Sequence, residues 1–432
     1  MIKINLKEAD SVIKAIEGGI TPRRGIQHLL VGRNNEVQEI VKILDKITEG
    51  DSEIKFWVGD FGSGKSFMLR TIESIALQKN FAVSTVDLNP TRRFYSTDGK
   101  SKALYSEIID NIVVQTAQNG RAINTIIEIW IEKVKNQIIN NKNLKEEELD
   151  KNPEFIEKEI LSLTSSFTTS SISYEFGQAI IQYYRGILEE DYDKKEKALR
   201  WLQGNIETKT EAKKDLGIGK IINDDNWYEA LKTFGELILD MGYSGFVVNF
   251  DELVNLYKIP QSQTREKNIF NECKSNKARG MFINFGATKK TIYDKGRGMS
   301  SYEALKGRLG TENDDLSNLI NTKKSVLLLK PLNNEEIFIL LERLKDIYNV
   351  NYKTSIELDA NEIRLYMEGK LNLPGADEFL TPRAVIKDYI EILDLIRQNP
   401  NENTITIIKA KLGKMNKVEK DENNFDDEIE VF

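Results

Sequence analysis

The chain has 432 residues, 40% of them apolar and 30% charged, and its net charge is −7. This length predicts two or three structural units, and this apolar fraction excludes wholesale disorder, while the acidic charge at first disfavours a nucleic-acid binder. One cysteine and one histidine exclude an internal disulfide and a Cys/His zinc site, and the absence of an apolar 18-residue run or export signal predicts a cytoplasmic protein without membrane spans.

The first 50 residues predict helices at 11–17 and 34–47, where apolar side chains recur at helical spacing. A short apolar strand at 54–58, a glycine-rich turn, a helix at 65–79 and a second strand at 81–86 follow. Two strands joined through a helix form a parallel, right-handed crossover. The chain is therefore expected to have an α/β fold.

The turn between this strand and helix matches the phosphate-loop pattern G-x-x-x-x-G-K-[ST] in full. Its glycines let backbone N–H groups curl around phosphate oxygens, the lysine reaches the β and γ phosphates, and the last hydroxyl binds Mg²⁺. The alternative is an ordinary glycine-rich turn that opens a helix. We expect ATP to bind along the loop, at Gly59, Asp60, Phe61, Gly62, Ser63, Gly64, Lys65, Ser66 and Phe67.

Between the second strand and residue 245 no clear strand is present, and the pattern is helical. We interpret about 100–241 as a large helical insertion. Helices are predicted at 104–117, 123–139, 174–188 and 227–241, and the Ser/Thr-rich stretch 162–173 is expected to be a loop leading into a capped helix. Three further strands are predicted at 246–250, 282–287 and 326–329.

The strand at 246–250 ends in two adjacent acids, Asp251 and Glu252. A phosphate loop needs a carboxylate at the end of a neighbouring strand to hold Mg²⁺, and hydrolysis needs a group that polarises the attacking water. We assign the metal to Ser66 and Asp251, and the water to Glu252. The alternative is a strand that ends in a solvated acidic turn.

Polar side chains after the next strand are candidates for contact with the γ phosphate. Thr288 follows that strand directly; Asn284 competes with it, and a plain strand cap is the alternative. Among nearby arginines we choose Arg308 as the arginine finger, which acts between neighbouring subunits to neutralise charge in the transition state. For each of these arginines, the alternative is an ordinary surface residue.

Two further arginines stand at predicted helix starts. In Thr381-Pro382-Arg383 the arginine occupies a first turn, where the helix dipole disfavours a cation, so an anionic partner such as ATP would explain it; a surface arginine is the alternative. Arg33 lies about 20 residues before the first strand. Many ATPases with a phosphate loop place the segment that packs on adenine at that position. A helix cap is the alternative there.

The order of these parts resembles AAA+ type P-loop ATPases, and more narrowly the ATP-binding proteins of BREX phage-defence systems, the BrxC/BrxD family, with a size similar to its BrxD-like members. The resemblance covers most of residues 10–400. It is carried by Pro22-Arg23-Arg24-Gly25, Val31-Gly32-Arg33, the phosphate loop, Val86-Asp87-Leu88, Ala103-Leu104-Tyr105, Gly242-Tyr243-Ser244-Gly245, Asp251-Glu252, Phe285-Gly286-Ala287-Thr288 and Thr381-Pro382-Arg383.

This resemblance implies a parallel five-stranded sheet in the order 5-1-4-3-2. It also implies an N-terminal helical segment (1–50) near the nucleotide, an ATPase core (51–332) and a C-terminal helical lid (333–415). Residues 416–432 are expected to be a disordered acidic tail. Residues 417–432 hold two Lys against seven Asp or Glu, a net −5, which leaves −2 on residues 1–416. Nucleic acid is therefore no longer excluded.

The function that these features favour is an ATP hydrolase that uses Mg²⁺ and acts as a conformational or assembly motor in anti-phage defence, with partner proteins, DNA or further copies of itself. One alternative is a nucleotide-gated signalling module with little turnover. Another is a DNA-loading ATPase of the replication-initiator or transposition-helper type.

Overall fold

The computed structural model of the chain describes residues 3–143, 145–167, 172–257, 278–301, 303–309, 321–371 and 381–413. The expected acidic tail lies outside these residues. The described residues divide into two compact units, each with its own hydrophobic core. The first unit lies within Met1–Val37, Gly59–Ser74 and Leu329–Phe432, and the second within Gln38–Val58 and Ile75–Leu328.

A parallel sheet forms the centre of the second unit. Within the described residues it has five strands: β1 (Glu53–Val58), β2 (Ala82–Asp87), β3 (Phe246–Asp251), β4 (Met281–Ala287) and β5 (Val326–Leu328). Their order is β2-β3-β4-β1-β5, and every pair is parallel. The predicted order 5-1-4-3-2 is the same sheet read from its other edge, and is confirmed. The fold is that of an α/β P-loop NTPase.

The two faces of the sheet differ in chemistry. On one face, the rings of Phe56, Phe285 and Phe250 stack in a row, with centroids 4.8 and 5.2 Å apart. On the other face, Asn249 and Asn284 are register partners, and Asn284 Oδ1 accepts a hydrogen bond of 3.0 Å from the indole of Trp57. Both asparagines are fully buried, so Asn284 lies inside the sheet and not at its edge.

Helices fill the chain between β2 and β3, as expected. They are α4 (Lys100–Asp110), α5 (Ile123–Lys142), α6 (Glu146–Asp150), α7 (Glu154–Ser165), α8 (Ser173–Leu188), α9 (Tyr192–Leu202), α10 (Lys209–Leu216) and α11 (Trp227–Asp240). Their apolar faces share one core with the sheet. The sequence predicted neither α9 nor α10, since both are short and rich in charge.

Two predictions in this region are wrong. The helix predicted to reach Ala117 ends at Asp110, because Val113 pairs with Val83 through two backbone hydrogen bonds of 2.8 and 2.9 Å and so covers the edge of the sheet. The helix after the Ser/Thr-rich stretch has no side-chain cap at its N-cap position, because that position is Ile172, a buried residue whose hydrocarbon side chain cannot accept a hydrogen bond.

The first unit is built from helices at both ends of the chain. They are α1 (Leu6–Glu17), α15 (Asn334–Tyr352), α16 (Ala360–Leu371) and α17 (Pro382–Gln398), and residues 404–413 are also helical. Val12 and Ile16 of α1 share a core with Leu341, Leu344 and Leu393. The helices α2 (Asn34–Thr48) and α3 (Lys65–Gln78) each begin in this unit and end in the other.

Three short helices, α12 (Val254–Tyr257), α13 (Lys289–Tyr293) and α14 (Glu303–Leu309), belong to the second unit. Across the described part of the chain, no helix has both the length and the apolar character that crossing a membrane requires.

Candidate nucleotide-binding site

The phosphate loop connects β1 to α3, and its backbone depends on two glycines. Gly62 and Gly64 have φ angles of 76° and 91°, a region that residues with a Cβ rarely adopt. Gly59 is needed for a different reason, because Ser63 packs closely against it. A Cβ at this position would lie 2.3 Å from Ser63 Oγ. The geometry of the loop thus accounts for glycine at all three of these positions.

Lys65 closes the loop on itself. Its ammonium donates hydrogen bonds to the backbone oxygens of Gly59 (3.1 Å) and Asp60 (2.8 Å), and it lies 5.5 Å from the centroid of the Phe61 ring. Phe61 is 78% exposed. A phosphate that enters the loop would exchange these neutral oxygens for charged ones, which bind an ammonium more strongly.

The loop fits a phosphate group in three respects. Ser63 Oγ is buried, and within the described part of the chain no group accepts or donates a hydrogen bond to it. The space beside Gly64 is open as far as the described residues show, since a Cβ there would meet none of their atoms within 4 Å. The α3 helix begins at the loop without an acid in its first turn, so its N–H groups and dipole favour an anion.

Arg33 holds the loop from its buried side. Its Nη2 donates to the backbone oxygens of Ser63 (3.2 Å) and Lys330 (2.6 Å), and its Nη1 forms a 3.3 Å ion pair with Glu36. Arg33 is 8% exposed and stands directly before α2, where its carbonyl accepts from Val37 N–H. The position is therefore a helix start, as one interpretation of the sequence proposed, and the guanidinium contacts protein carbonyls.

The start of α17 touches the outer side of the loop. A Cβ at Gly62 would lie 2.4 Å from Thr381 Cγ2, so these two residues are in van der Waals contact. Thr381 caps α17 by accepting from Ala384 N–H (3.2 Å), with Pro382 in the first turn, as predicted. Arg383 is exposed in that first turn. This arginine therefore belongs to the same compact unit as the loop.

The acidic strand end lies in the second unit, at the carboxyl edge of the sheet. Asp251 is 8% exposed, and its Oδ1 accepts from the backbone N–H of Glu252 (2.9 Å). Glu252 is exposed and has a φ of 57°, a left-handed conformation that is uncommon outside glycine and frequent at functional sites. Leu253 N–H bonds to Gly286 O (3.1 Å), which fixes the turn against β4.

The other predicted residues lie in different settings. Thr288 directly follows β4 and caps α13, where its hydroxyl lies 2.9 Å from that of Thr291. Phe67 packs against the hydrophobic core of the first unit. Arg308 is on α14, which precedes β5. Asn284, the competing sensor, is enclosed in the sheet, which leaves Thr288 as the candidate at the edge.

Two residues of this region were not assigned by the sequence analysis. Asp87 ends β2 and is the register partner of Asp251, so both acids stand at the same edge of the sheet. The signal was a strand that ends in an acid, the same that identified Asp251. Glu36, the partner of Arg33, follows it by three residues, one helical turn.

Each of the two units has an oxygen donor of the kind that Mg²⁺ takes. The ion takes oxygen ligands, keeps several waters and is held by one or two protein groups together with substrate phosphates. The Ser66 hydroxyl and the Asp251 carboxylate are oxygen donors of this kind. Among the residues that the structure describes, no group of three or more His, Cys, Asp or Glu side chains is arranged as a metal site.

Comparisons with known proteins found a matching family and a similar solved structure. The protein family described as BREX system ATP-binding protein BrxC/D matches residues 4–411. No curated protein matches the sequence. Among solved structures, the Walker-type ATPase PABY2304 of Pyrococcus abyssi is similar, with 13% identity and a TM-score of 0.35, over 91% of this chain and 75% of that one. A TM-score this low carries no argument about the present protein.

Proposed function

This chain belongs to the family of BREX system ATP-binding proteins BrxC/D, and from that membership we propose that it hydrolyses ATP to change conformation or assembly state within the defence system. The observation that carries the proposal is the phosphate loop. It combines left-handed glycines, a buried hydroxyl without a partner among the described residues, and open space at the start of a helix. An ordinary glycine-rich turn has no need for this combination.

In the proposed reaction, each candidate residue has a separate task. Lys65 leaves the carbonyls of Gly59 and Asp60 and binds the β and γ phosphates. Ser66 and Asp251 would hold Mg²⁺, which would supply positive charge to the phosphate oxygens. Glu252 polarises the attacking water, since it is exposed at the end of β3 and its backbone is fixed on both sides.

The remaining candidates act on the charge that develops on the γ phosphate. Thr288 is proposed to sense that phosphate from the end of β4. Arg383 is supported by the contact between Gly62 and the cap of its helix, because this contact places the first turn of α17 beside the loop. Arg308 is proposed as the finger that a second copy of the chain receives, which makes turnover depend on assembly.

Turnover and mere binding are separated by two substitutions. Lys65→Ala is expected to abolish ATP binding, because the cation that faces the β and γ phosphates is lost. Glu252→Gln is expected to preserve binding and to lower turnover 100-fold or more, on the order of what positioned acid–base groups contribute. Binding is measured by calorimetry, and turnover by phosphate release.

The matched control is Glu190→Gln. Glu190 is also an exposed glutamate in the left-handed conformation, with φ 54°, but it lies in the helical insertion. Its replacement should leave turnover unchanged. If Glu252→Gln hydrolyses ATP as fast as the Glu190→Gln control, Glu252 has no catalytic role and the nucleotide-gated module becomes the better account. Micromolar ATP affinity in Lys65→Ala would overturn the site itself.

We also propose DNA as a partner, on the basis of one segment of the second unit. Lys289, Lys290, Lys295 and Arg297 are exposed within nine residues that follow β4. The one acid among them, Asp294, accepts hydrogen bonds from the backbone of Gly296 and Arg297 and so shapes the loop. Clustered exposed cations of this kind are the electrostatic footprint of contacts to phosphate backbones.

A further inference from the structure

The buried guanidinium of Arg33 is more than a packing element. A buried arginine is costly unless its charge is paired and its N–H groups are bonded. Here the charge is paired with Glu36, and the free end of the guanidinium is directed to two backbone oxygens that are far apart in the chain, those of Ser63 and Lys330. This arrangement needs the planar fork of arginine, because the ammonium of lysine is a point charge on a flexible stem.

The contact with Ser63 O bears directly on phosphate binding. The peptide unit that carries this oxygen also carries the N–H of Gly64, and the two groups point in opposite directions because the peptide is planar and trans. When Arg33 fixes the oxygen on the buried side, it fixes the direction of the N–H on the other side. That N–H belongs to the row of backbone donors which a phosphate loop offers to its ligand.

The contact with Lys330 O ties the same guanidinium to the chain directly after β5. Lys330 precedes α15 by four residues, and Gly32, next to Arg33, approaches Glu336 in the first turn of that helix so closely that a Cβ would lie 2.2 Å from Glu336 Oε1. All of these residues belong to the first compact unit. The loop is therefore clamped to the start of the C-terminal helices.

We infer that Arg33 is a positioning residue, which orients the Gly64 amide for the phosphates of ATP through Ser63 O and does not read the adenine base. The inference rests on the proposed function, since it requires ATP in this loop. The sequence analysis associated Arg33 with the adenine base of ATP, whereas this inference associates it with the phosphates. A residue that packs on adenine changes the preference between bases, whereas a residue that orients the loop changes the affinity for every ligand with the same phosphates.

The test compares three ligands on purified full-length protein: ATP, GTP and inorganic tripolyphosphate, each by calorimetry. For Arg33→Lys, the affinities for all three are expected to fall by the same factor, roughly 10- to 100-fold, as for the misplacement of a binding group by about 1 Å. The ratio of ATP to GTP affinity stays unchanged. Arg33→Gln, which also leaves Glu36 without its partner, should lose more.

The matched control is Arg343→Lys. Arg343 donates to a backbone oxygen in the same unit, Leu30 O at 2.7 Å, but does not touch the phosphate loop, so its replacement should leave all three affinities unchanged. If Arg33→Lys does not fold, Glu36→Gln removes the carboxylate that aligns the guanidinium, and gives the same comparison with a smaller loss.

Three outcomes of these affinity measurements would contradict the positioning role of Arg33. Unchanged affinities in a folded Arg33→Lys protein overturn the positioning role and leave the proposed function intact. A loss for ATP that is absent for tripolyphosphate, or a changed ATP to GTP ratio, overturns it in favour of contact with the base. If the wild-type protein binds neither ATP nor tripolyphosphate, the proposed function is overturned, and this inference with it.

Discussion

Gly62 is the residue at which the phosphate loop and the C-terminal helices touch. Its φ of 76° favours glycine because residues with a Cβ rarely adopt this conformation. Glycine is also needed for steric reasons, because a Cβ would collide with Thr381 Cγ2. Gly64 offers the comparison, because its φ of 91° is equally unfavourable for other residues while no atom would meet its Cβ. Substitutions at these two positions therefore separate the energetic cost of backbone strain from the cost of steric conflict.

We expect Gly64→Ala to lower the free energy of unfolding by about 1–2 kcal/mol, the cost of a left-handed backbone for a residue with a Cβ. Gly62→Ala should cost about 1–3 kcal/mol more, since Thr381 has to move. Urea unfolding without nucleotide measures both.

Thr381→Ser serves as the control for this pair. It removes the Cγ2 methyl and keeps the hydroxyl that caps α17, so it should restore part of the stability in the Gly62→Ala background and none in Gly64→Ala. Equal losses for the two glycine variants would show that Thr381 does not restrain the loop.

At this scale the sequence indicates residue types and their order along the chain, but not the contacts that the residues make. The phosphate loop, Asp251 and Glu252 were identified because their residue types follow strands in a fixed order. The contacts of Arg33 with Ser63 O and Lys330 O involve backbone oxygens, which every residue has, so no pattern of side chains announces them. The burial of an arginine before a helix, with only 8% of Arg33 exposed, is likewise a property of the folded chain.

At the scale of elements, the start of α4 shows how a distant segment caps a helix. The N-cap residue is Gly99, which has no side chain to accept a hydrogen bond. Asp224, from the loop before α11, supplies the acceptor: its carboxylate binds the N–H groups of Gly99 (2.7 Å) and Lys102 (2.8 Å) and the hydroxyl of Ser96 (2.9 Å). An acid at this end also complements the helix dipole.

Asp224→Ala is expected to lower the free energy of unfolding by about 1–2 kcal/mol, the usual cost of losing a helix cap. The neighbouring exposed residue gives the control, and Asp225→Ala should change stability by no more than about 0.5 kcal/mol. Thermal and urea unfolding report both values. If the two variants are equally stable, the first turn of α4 is held by other contacts.

Elements with strong periodicity, such as α5 and α8, were predicted to within a few residues, since one buried face determines both type and length. The helix α4 was predicted seven residues too long because Val113 continues the apolar spacing but pairs with Val83 at the sheet edge. Such a choice depends on a strand edge that lies far away in the sequence.

At the scale of the whole molecule, the distribution of charge matters more than its sum. Of the basic pairs in the sequence, Arg92 and Arg93 face Glu107 and Asp98 at 3.3 and 4.0 Å, so their charge is offset locally. The segment from Lys289 to Arg297 carries a net charge of +3 in a chain with a total of −7. This segment is therefore the place where we expect DNA to bind.

Replacement of Lys289, Lys290, Lys295 and Arg297 by glutamine should weaken duplex binding and flatten its dependence on salt. Each lost phosphate contact lowers the slope of log K against log salt by about 0.9. The measurement is a salt titration of binding by fluorescence anisotropy, with and without ATP.

The control replaces Lys213 and Lys214, two exposed lysines of α10, by glutamine, and should leave the slope unchanged. A wild-type protein that shows no binding at low salt, or a slope that is the same in both variants, would contradict the assignment and favour a partner made of protein alone.

The order of the strands also determines when the protein can fold during its synthesis. β1 pairs with β4 and β5, and β2 pairs with β3, so neither of the first two strands finds a sheet partner until most of the chain has been made. About 230 residues separate the end of β1 from the end of β4, which at roughly 5–20 residues per second takes the ribosome about 10–45 s. The phosphate loop, which follows β1 directly, therefore leaves the ribosome long before β4, the sheet partner of β1, has been made.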